Sequence, residues 1–322
     1  MASPTREPAP NGGPIGREDS TLDRIGRMLM AASFAQPQGQ QWFGDDAAVL
    51  GTPPEGSEIL FCTDVAVEGV HGNFEFMSPQ ELGWRAASST LSDIAAMGGS
   101  PWVMVASVAC AKHASIDELM EGVVESAAAF SCPVVGGDVS EAATTMVSIA
   151  VIGHVPRGTA VTRSGAHAGD TVFVTGPLGG SAAGLAAFQR GEEQIESTLR
   201  NAYLRPVPLL AQGAAARECG ISAMIDVSDG LSIDLHRLAD ASHVGFELTS
   251  VPVCSGATLD EALGGGEDFA LVMTTSDPEG LRSGFEDQGL EPPISIGMIT
   301  PEHTQRIILG ESSSPMGWVH DV

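Results

Sequence analysis

A chain of 322 residues, 43% of them hydrophobic, carries apolar material for two domains rather than one. Its 41 acidic against 15 basic residues leave a formal net charge of −26, which excludes nucleic acid and an anionic membrane as main partners, since both need a positive face. Cys62, Cys110, Cys132, Cys219 and Cys254 are isolated, with no C-x-x-C pair, and no apolar stretch is long enough to span a bilayer, so a reduced, cytoplasmic protein is predicted.

Residues 1–20, rich in Pro, Gly and charge, predict a disordered extension. Residues 58–63 (EILFCT) predict a strand that delivers Asp64 at its end. Ser78-Pro79-Gln80-Glu81 starts a helix, with Ser at the cap, Pro in the first turn and Glu placed to close a capping box. That helix should reach about Met97, where Gly98-Gly99 stops it. Residues 102–110 predict a strand, and Ser115-Ile116-Asp117-Glu118 opens a second capped helix. Residues 133–136 lead into Gly137-Asp138, and 146–155 form another apolar strand.

The Gly-rich, polar run 156–169 predicts a junction between an N-terminal domain (21–158) and a C-terminal one (159–322). Beyond it, strands are predicted over 171–175, 223–227, 269–273 and 294–299, and helices over 181–190, 209–219 and 231–241. Strands separated by helices predict an α/β, layered α+β architecture. The pattern does not fix the strand order.

Six short carboxylate-bearing segments carry the chemistry: Gly44-Asp45-Asp46, Cys62-Thr63-Asp64, Ser92-Asp93, Gly136-Gly137-Asp138, Asp226-Val227-Ser228-Asp229-Gly230 and Gly265-Gly266-Glu267-Asp268. None contains Lys or Arg. Oxygen donors without a basic neighbour suit hard divalent cations, and magnesium commonly arrives with nucleotide phosphates. Singly, each segment has a plainer reading. Gly44-Asp45-Asp46 alone reads as a solvated turn. Asp93 falls late in its helix, against the negative end of the helix dipole, where a cation would compensate it; an exposed polar-face charge fits equally. In an extended Asp226–Asp229 segment, Asp226 and Ser228 share one face and Asp229 turns away, with Ser228 able to cap the next helix.

Gly176-Pro177-Leu178-Gly179-Gly180-Ser181 does not match G-x-G-x-x-G, and no G-x-x-x-x-G-K-[ST] loop exists. A nucleotide would therefore be held without a P-loop. Arg163, in the junction, is one of few basic residues and could pair with phosphate; the commoner reading is a surface arginine.

As an ordered set, GDDAA, TDVAVEGVH, LSDIAAMG, GGD, TRSGA, DVSDGL and GGED resemble the thiamine-monophosphate kinases, over about residues 20 to 320. That family belongs with aminoimidazole ribonucleotide synthetase, selenophosphate synthetase and a hydrogenase maturation factor. The resemblance implies a two-domain α/β enzyme that dimerises through its N-terminal sheet. It would transfer the γ-phosphoryl group of ATP to thiamine monophosphate, giving thiamine diphosphate, with ATP and magnesium held by N-terminal carboxylates. Asp46, Cys62 (through its backbone carbonyl), Thr63, Asp64, Asp93, Asp138, Asp226 and Asp229 match metal positions. Asp46 and Asp93 are the implied centre of catalysis, and no residue is a covalent nucleophile. Gly137, Asp138, Arg163 and Ser228 match nucleotide contacts; His71, Glu267 and Trp318 match thiamine-monophosphate contacts. Gly72, Thr90, Phe269-Ala270 and the Gly317-Trp318-Val319-His320 ending depart from the family pattern.

Selenophosphate synthetase would need a reactive Cys near the N-terminus, and residues 1–40 have none. The hydrogenase factor needs a C-terminal Cys, whereas this chain ends His320-Asp321-Val322. Aminoimidazole ribonucleotide synthetase and a non-catalytic nucleotide-binding protein remain as alternatives.

Overall fold

The computed structural model describes residues 14–32, 34, 36–43 and 46–319. Its first half comprises α1 (Pro14–Ala31), β1 (Ser57–Val67), α2 (Pro79–Ala96), β2 (Ser100–Ala111), α3 (Ile116–Ala129), β3 (Val134–Ala142) and β4 (Met146–Pro156). The four strands form one sheet in the order β1-β4-β2-β3, antiparallel except for the β2–β3 pair. Helices α2 and α3 bury Leu82, Leu91, Ile94, Leu119 and Val123 against Met104, Val108, Ile149 and Val151 on one face of this sheet. The other face leaves Phe61, Val65, Val105 and Met146 exposed.

The capping box forms as the sequence predicts. Ser78 N donates to Glu81 Oε2 at 2.6 Å, and Glu81 N donates to Ser78 Oγ at 3.2 Å. Helices α2 and α3 then approach so closely that a Cβ on Gly83 or Gly122 would collide with backbone of the opposite helix, at Leu119 and Gln80 respectively. This crossing holds α2 firmly over β1 and β4.

The second half comprises β5 (Thr171–Val174), α4 (Gly180–Gln189), α5 (Ser197–Leu204), α6 (Leu210–Glu218), β6 (Ala223–Asp226), α7 (Leu231–Ser242), β7 (Gly245–Leu248), α8 (Leu259–Gly264), β8 (Leu271–Thr275), α9 (Pro278–Asp287), β9 (Ile294–Thr300), β10 (Arg306–Ile308) and β11 (Glu311–Ser312). Its seven-stranded mixed sheet runs β11-β10-β7-β9-β5-β8-β6. Alternate residues feed two cores: Val172, Val174, Ile225, Leu235 and Ile296 on one side, Phe173, Met224, Met273, Leu281 and Phe285 on the other. Both faces of β5, β6 and β8 are covered, which is why these three central and edge strands are largely apolar.

The two halves share core. Ala95 and Ala96 of α2 join the Phe173 core, while Tyr203 and Leu204 of α5 join the core of the first half. Four sequence expectations need correction. Asp64 does not end its strand, because β1 stays paired with β4 as far as Val67. Residues 14–20, assigned to the extension, are the first turns of α1, where Pro14 at the start needs no N–H partner; residues 1–13 lie outside the described residues. The strand expected over 269–273 begins only at Leu271, because Glu267 (φ 65°) and Phe269 (φ 50°) are left-handed and cannot continue a ladder. Helices α1, α5, α8 and α9 and strands β7, β10 and β11 are not among the sequence expectations; apart from α1, most are too short to show a period. Among the described residues, no helix is long and apolar enough to cross a membrane.

Candidate active site

One cavity of ≈ 410 Å³ collects most of the predicted residues from five places in the chain. Strand β1 supplies Thr63 and Asp64, and the turn after it His71. Helix α2 supplies Asp93. The end of β6 and the turn beyond it supply Asp226, Ser228 and Asp229. The 265–269 loop supplies Glu267, and the C-terminal segment supplies Trp318. The cavity lies along β1, a free edge of the first sheet, where the second half meets it.

Asp93 and Asp226 are the electrostatic centre. Burial, then the charges of Asp226 and Asp64, push the Asp93 carboxyl up to about 7 against the opposing pull of Arg163 and Cys62. Burial likewise pushes Asp226 up to about 6, opposed by the Ser92 hydroxyl, which donates to its Oδ2 at 2.6 Å. Gathering carboxylates where each raises the other costs stability, so the arrangement has a purpose other than holding the fold.

The turn after β6 differs from its expected form. Asp229 does not point away: the chain bends directly after Asp226, and Asp226, Ser228 and Asp229 all line the cavity. Ser228 does not cap α7, whose N-cap is Gly230 at φ 129°, a conformation other residues rarely adopt. The amides are instead collected by Asp234, one turn into the helix. Its Oδ2 accepts from Ser228 N, Asp229 N and Gly230 N at 3.1, 2.9 and 3.1 Å. Arg237 bridges Asp234 (2.6 Å) and Asp229 (2.5 Å), so the Asp229 carboxylate is already paired. Neither Asp234 nor Arg237 was singled out from sequence, although an acid in the first helical turn and a base three residues later are a readable local signal.

Elsewhere on the cavity wall, Val67 N donates to His71 Nδ1 at 3.2 Å, which leaves the ring proton on Nε2. Trp318 is anchored by its backbone: Trp318 N donates to Asp229 O at 2.9 Å, and Ile233 N donates to Met316 O at 3.2 Å. The indole, 52% exposed, thus forms part of the cavity wall without serving the core. Glu267 pairs with Arg85, a buried residue of α2 that the sequence did not reveal.

Not every predicted residue converges here. Arg163 lines an adjoining cavity of ≈ 480 Å³ with Cys62, Thr162 and Ser164, and Asp93 and Asp226 border both spaces. The Cys62 thiol is pushed up to about 12 mainly by burial and then by Asp93, and it donates to Thr90 O at 3.4 Å, so the backbone carbonyl is the group this residue has to offer a hard cation. Asp46 lines neither cavity; Gly44 and Asp45 lie outside the described residues, as does His320.

Gly137 and Asp138 are on β3, at the opposite edge of the sheet from β1. The register places Asp138 beside Ser107, Ser107 beside Ser148, and Ser148 beside Val65. Asp138 therefore shares the exposed face with Val65, not the helix-covered face of Asp64, and stands about 14 Å away across three strand spacings. Within one chain it cannot share an ion with Asp64.

Among the described residues, no group of three His, Cys, Asp or Glu side chains is arranged to hold a metal ion by itself. Oxygen donors spread around a cavity still fit magnesium, which ordinarily takes one or two carboxylates and completes its shell with water and substrate phosphates. A softer metal wanting a closed thiolate or imidazole cage does not fit.

The fold and this carboxylate-lined interdomain cavity define a class. Residues 44–155 match the family model "AIR synthase related protein, N-terminal domain" and residues 167–310 the corresponding C-terminal domain. Within that class, the thiamine-monophosphate kinase of Bacillus subtilis is 35% identical over 294 residues, covering 85% of this chain and 89% of the relative. The crystal structure of thiamine-monophosphate kinase from Stenotrophomonas maltophilia superposes with a TM-score of 0.77 at 29% identity, covering 91% of this chain and 97% of that one. AaThiL complexed with AMPPCP and TMP superposes at 0.73 with 28% identity, covering 94% and 96%. The chain belongs to the thiamine-monophosphate kinase family, a family of phosphotransferases.

Proposed function

We propose that this enzyme transfers the γ-phosphoryl group of ATP in line to the phosphate of thiamine monophosphate, giving thiamine diphosphate. The observation that carries the reading is that one continuous space is lined by Asp64, Asp93 and Asp226 and also by His71, Glu267 and Trp318. The first group suits cation-bound phosphates; the second suits a ring with a cationic centre. AaThiL, complexed with AMPPCP and TMP, pairs the same two ligand classes on the same fold.

Asp64, Asp93 and Asp226 would hold magnesium, with Asp46, Thr63, Asp229 and the Cys62 carbonyl as further positions. Bound there, magnesium would neutralise charge on the transferring phosphoryl group. The chain's own residues do the rest. Arg163, beside Asp93 and Asp226, pairs with nucleotide phosphate, and the Ser228 turn lines the path between the two ligands. Trp318 offers its face to the thiazolium, and His71 presents an Nε2 proton as donor. The acceptor phosphate is largely ionised at neutral pH, with a second pKa of about 6, so alignment matters more than a general base.

The enzyme works as a homodimer on this reading. The exposed sheet face of Phe61, Val65, Val105 and Met146 is the surface a second copy would cover, and the displaced Gly137 and Asp138 then serve the partner's nucleotide site. The reaction is tested by incubating the protein with ATP, magnesium and either thiamine monophosphate or thiamine. Thiamine diphosphate from the monophosphate alone supports the reading; product from neither sinks it.

A further inference from the structure

Arg85 is the basic residue inside the cavity that the family motifs leave without a role. It sits on α2 of the first half, 3% exposed, with its guanidinium carbon 4.9 Å from the centroid of the Tyr203 ring. Nη1 donates to the carbonyl of Tyr203 in the last turn of α5, and Nη2 pairs with the carboxylate of Glu267. One guanidinium thereby ties α2 to two elements of the second half, across 118 and 182 residues of sequence.

Glu267 needs such a hold. Its backbone is left-handed at φ 65°, an uncommon state for a side chain of its size. Its N–H is fixed to Ser228 O at 2.8 Å. The next residue, Asp268, turns the other way and accepts from Gly179 N (2.6 Å) and Ser181 N (3.1 Å) at the start of α4. The loop backbone is pinned, and Arg85 sets the direction of the Glu267 carboxylate. A planar fork reaches both the Tyr203 carbonyl and Glu267; an ammonium cannot hold the same geometry.

We propose that Arg85 is a positioning residue that aims Glu267 into the cavity and so sets affinity for the acceptor but not for the nucleotide. This rests on the reading that Glu267 contacts thiamine monophosphate. Arg85 already carries a carboxylate and a carbonyl, so it acts through Glu267 rather than by binding the acceptor's phosphate itself.

The test compares Arg85→Met, Arg85→Lys, Glu267→Gln and the double variant Arg85→Met/Glu267→Gln. Arg85→Met should raise KM for thiamine monophosphate at least tenfold while KM for ATP stays within twofold. Arg85→Lys should fall between it and the parent, and remains informative if the Met variant does not fold. Adding Glu267→Gln to Arg85→Met should change the acceptor KM less than twofold further, because both act through one contact. Equal rises in both KM values, an unchanged acceptor KM, or effects that multiply would overturn the proposal; multiplication would place Arg85 directly on the substrate. Thermal melts give a second readout that needs no turnover. Glu267→Gln strands a buried guanidinium and should lower Tm, and Arg85→Met in that background should restore part of the loss. Additive losses overturn the coupling even if the parent enzyme makes no thiamine diphosphate, a result that would count against the proposed reaction alone.

Discussion

Ser92 Oγ donates a 2.6 Å hydrogen bond to Asp226 Oδ2, and both residues are buried. Ser92 belongs to α2 of the first half and Asp226 ends β6 of the second. Asp226, which lines both cavities, is therefore held by the first half through Ser92, the chain neighbour of another candidate magnesium ligand, Asp93. Anything that loosens this contact changes the spacing of Asp93 and Asp226 together.

Ser92→Ala removes the donor and leaves a buried carboxylate oxygen without it. A lost partner of this kind costs about 1–3 kcal/mol, so Tm should fall by several degrees. Turnover should fall as well, since Asp226 loses the group that fixes its orientation. A differential-scanning melt and a steady-state assay check both. A variant as stable and active as the parent would show that the hydroxyl does not position Asp226.

Gly122→Ala tests the α2–α3 crossing. The added Cβ would meet the carbonyl oxygen and carbon of Gln80, which are backbone and cannot swing aside. Overpacking against fixed neighbours costs about 1–3 kcal/mol or more. The variant should melt well below the parent or fail to fold, whereas Gly191→Ala, where nothing lies near and only a positive φ of 68° is strained, should lose less. Equal losses would contradict the tight crossing.

This contrast also shows what the sequence could reveal. The Ser78–Glu81 capping box is readable because all its atoms lie within three residues, and the apolar runs of β2 and β4 are readable because their period is local. Asp64, Asp93, Asp226 and Glu267 are legible as a set through short segments flanked by Gly, Ser or Thr and through the order of the motifs that carry them. Arg85 and Gly122 were not. Their meaning comes from partners 182 and 42 residues away, and neither has a local pattern that marks it. The strand order that puts Asp138 on the far edge is likewise a long-range property, invisible to any window of sequence.

Asp268 gives a pH dependence whose sign can be worked out. Burial pushes its carboxyl from an ordinary 3.8 up to about 6, against the amides of Gly179, Ser181 and Gly180. A carboxyl raised by folding contributes stability that is complete below 3.8 and lost as pH rises through 6. The loss is at most about 3 kcal/mol. Asp268→Asn does not titrate, and any mismatch of its amide with those N–H groups is the same at every pH. The Tm of the variant minus that of the parent should therefore grow more positive from pH 4.5 to pH 8. A difference independent of pH, or one moving the other way, would refute the environment described for Asp268.

Asp93→Asn separates function from stability at the centre of the site. Burial and the charges of Asp226 and Asp64 all oppose an ionised carboxylate at this position, so in the protein without metal the charge is a cost to the fold. An isosteric neutral side chain relieves that cost. Without magnesium and nucleotide, the variant should melt at or above the parent temperature. Adding both should raise the Tm of the parent, because a ligand that binds only the folded state stabilises it, and should raise that of the variant much less. Turnover should drop by at least a hundredfold. A variant that melts lower than the parent without ligand would make Asp93 a structural residue. One that keeps substantial turnover would remove it from the proposed magnesium site. The expected pattern, greater stability with lost activity and lost ligand response, is that of a carboxylate kept for the cation it holds.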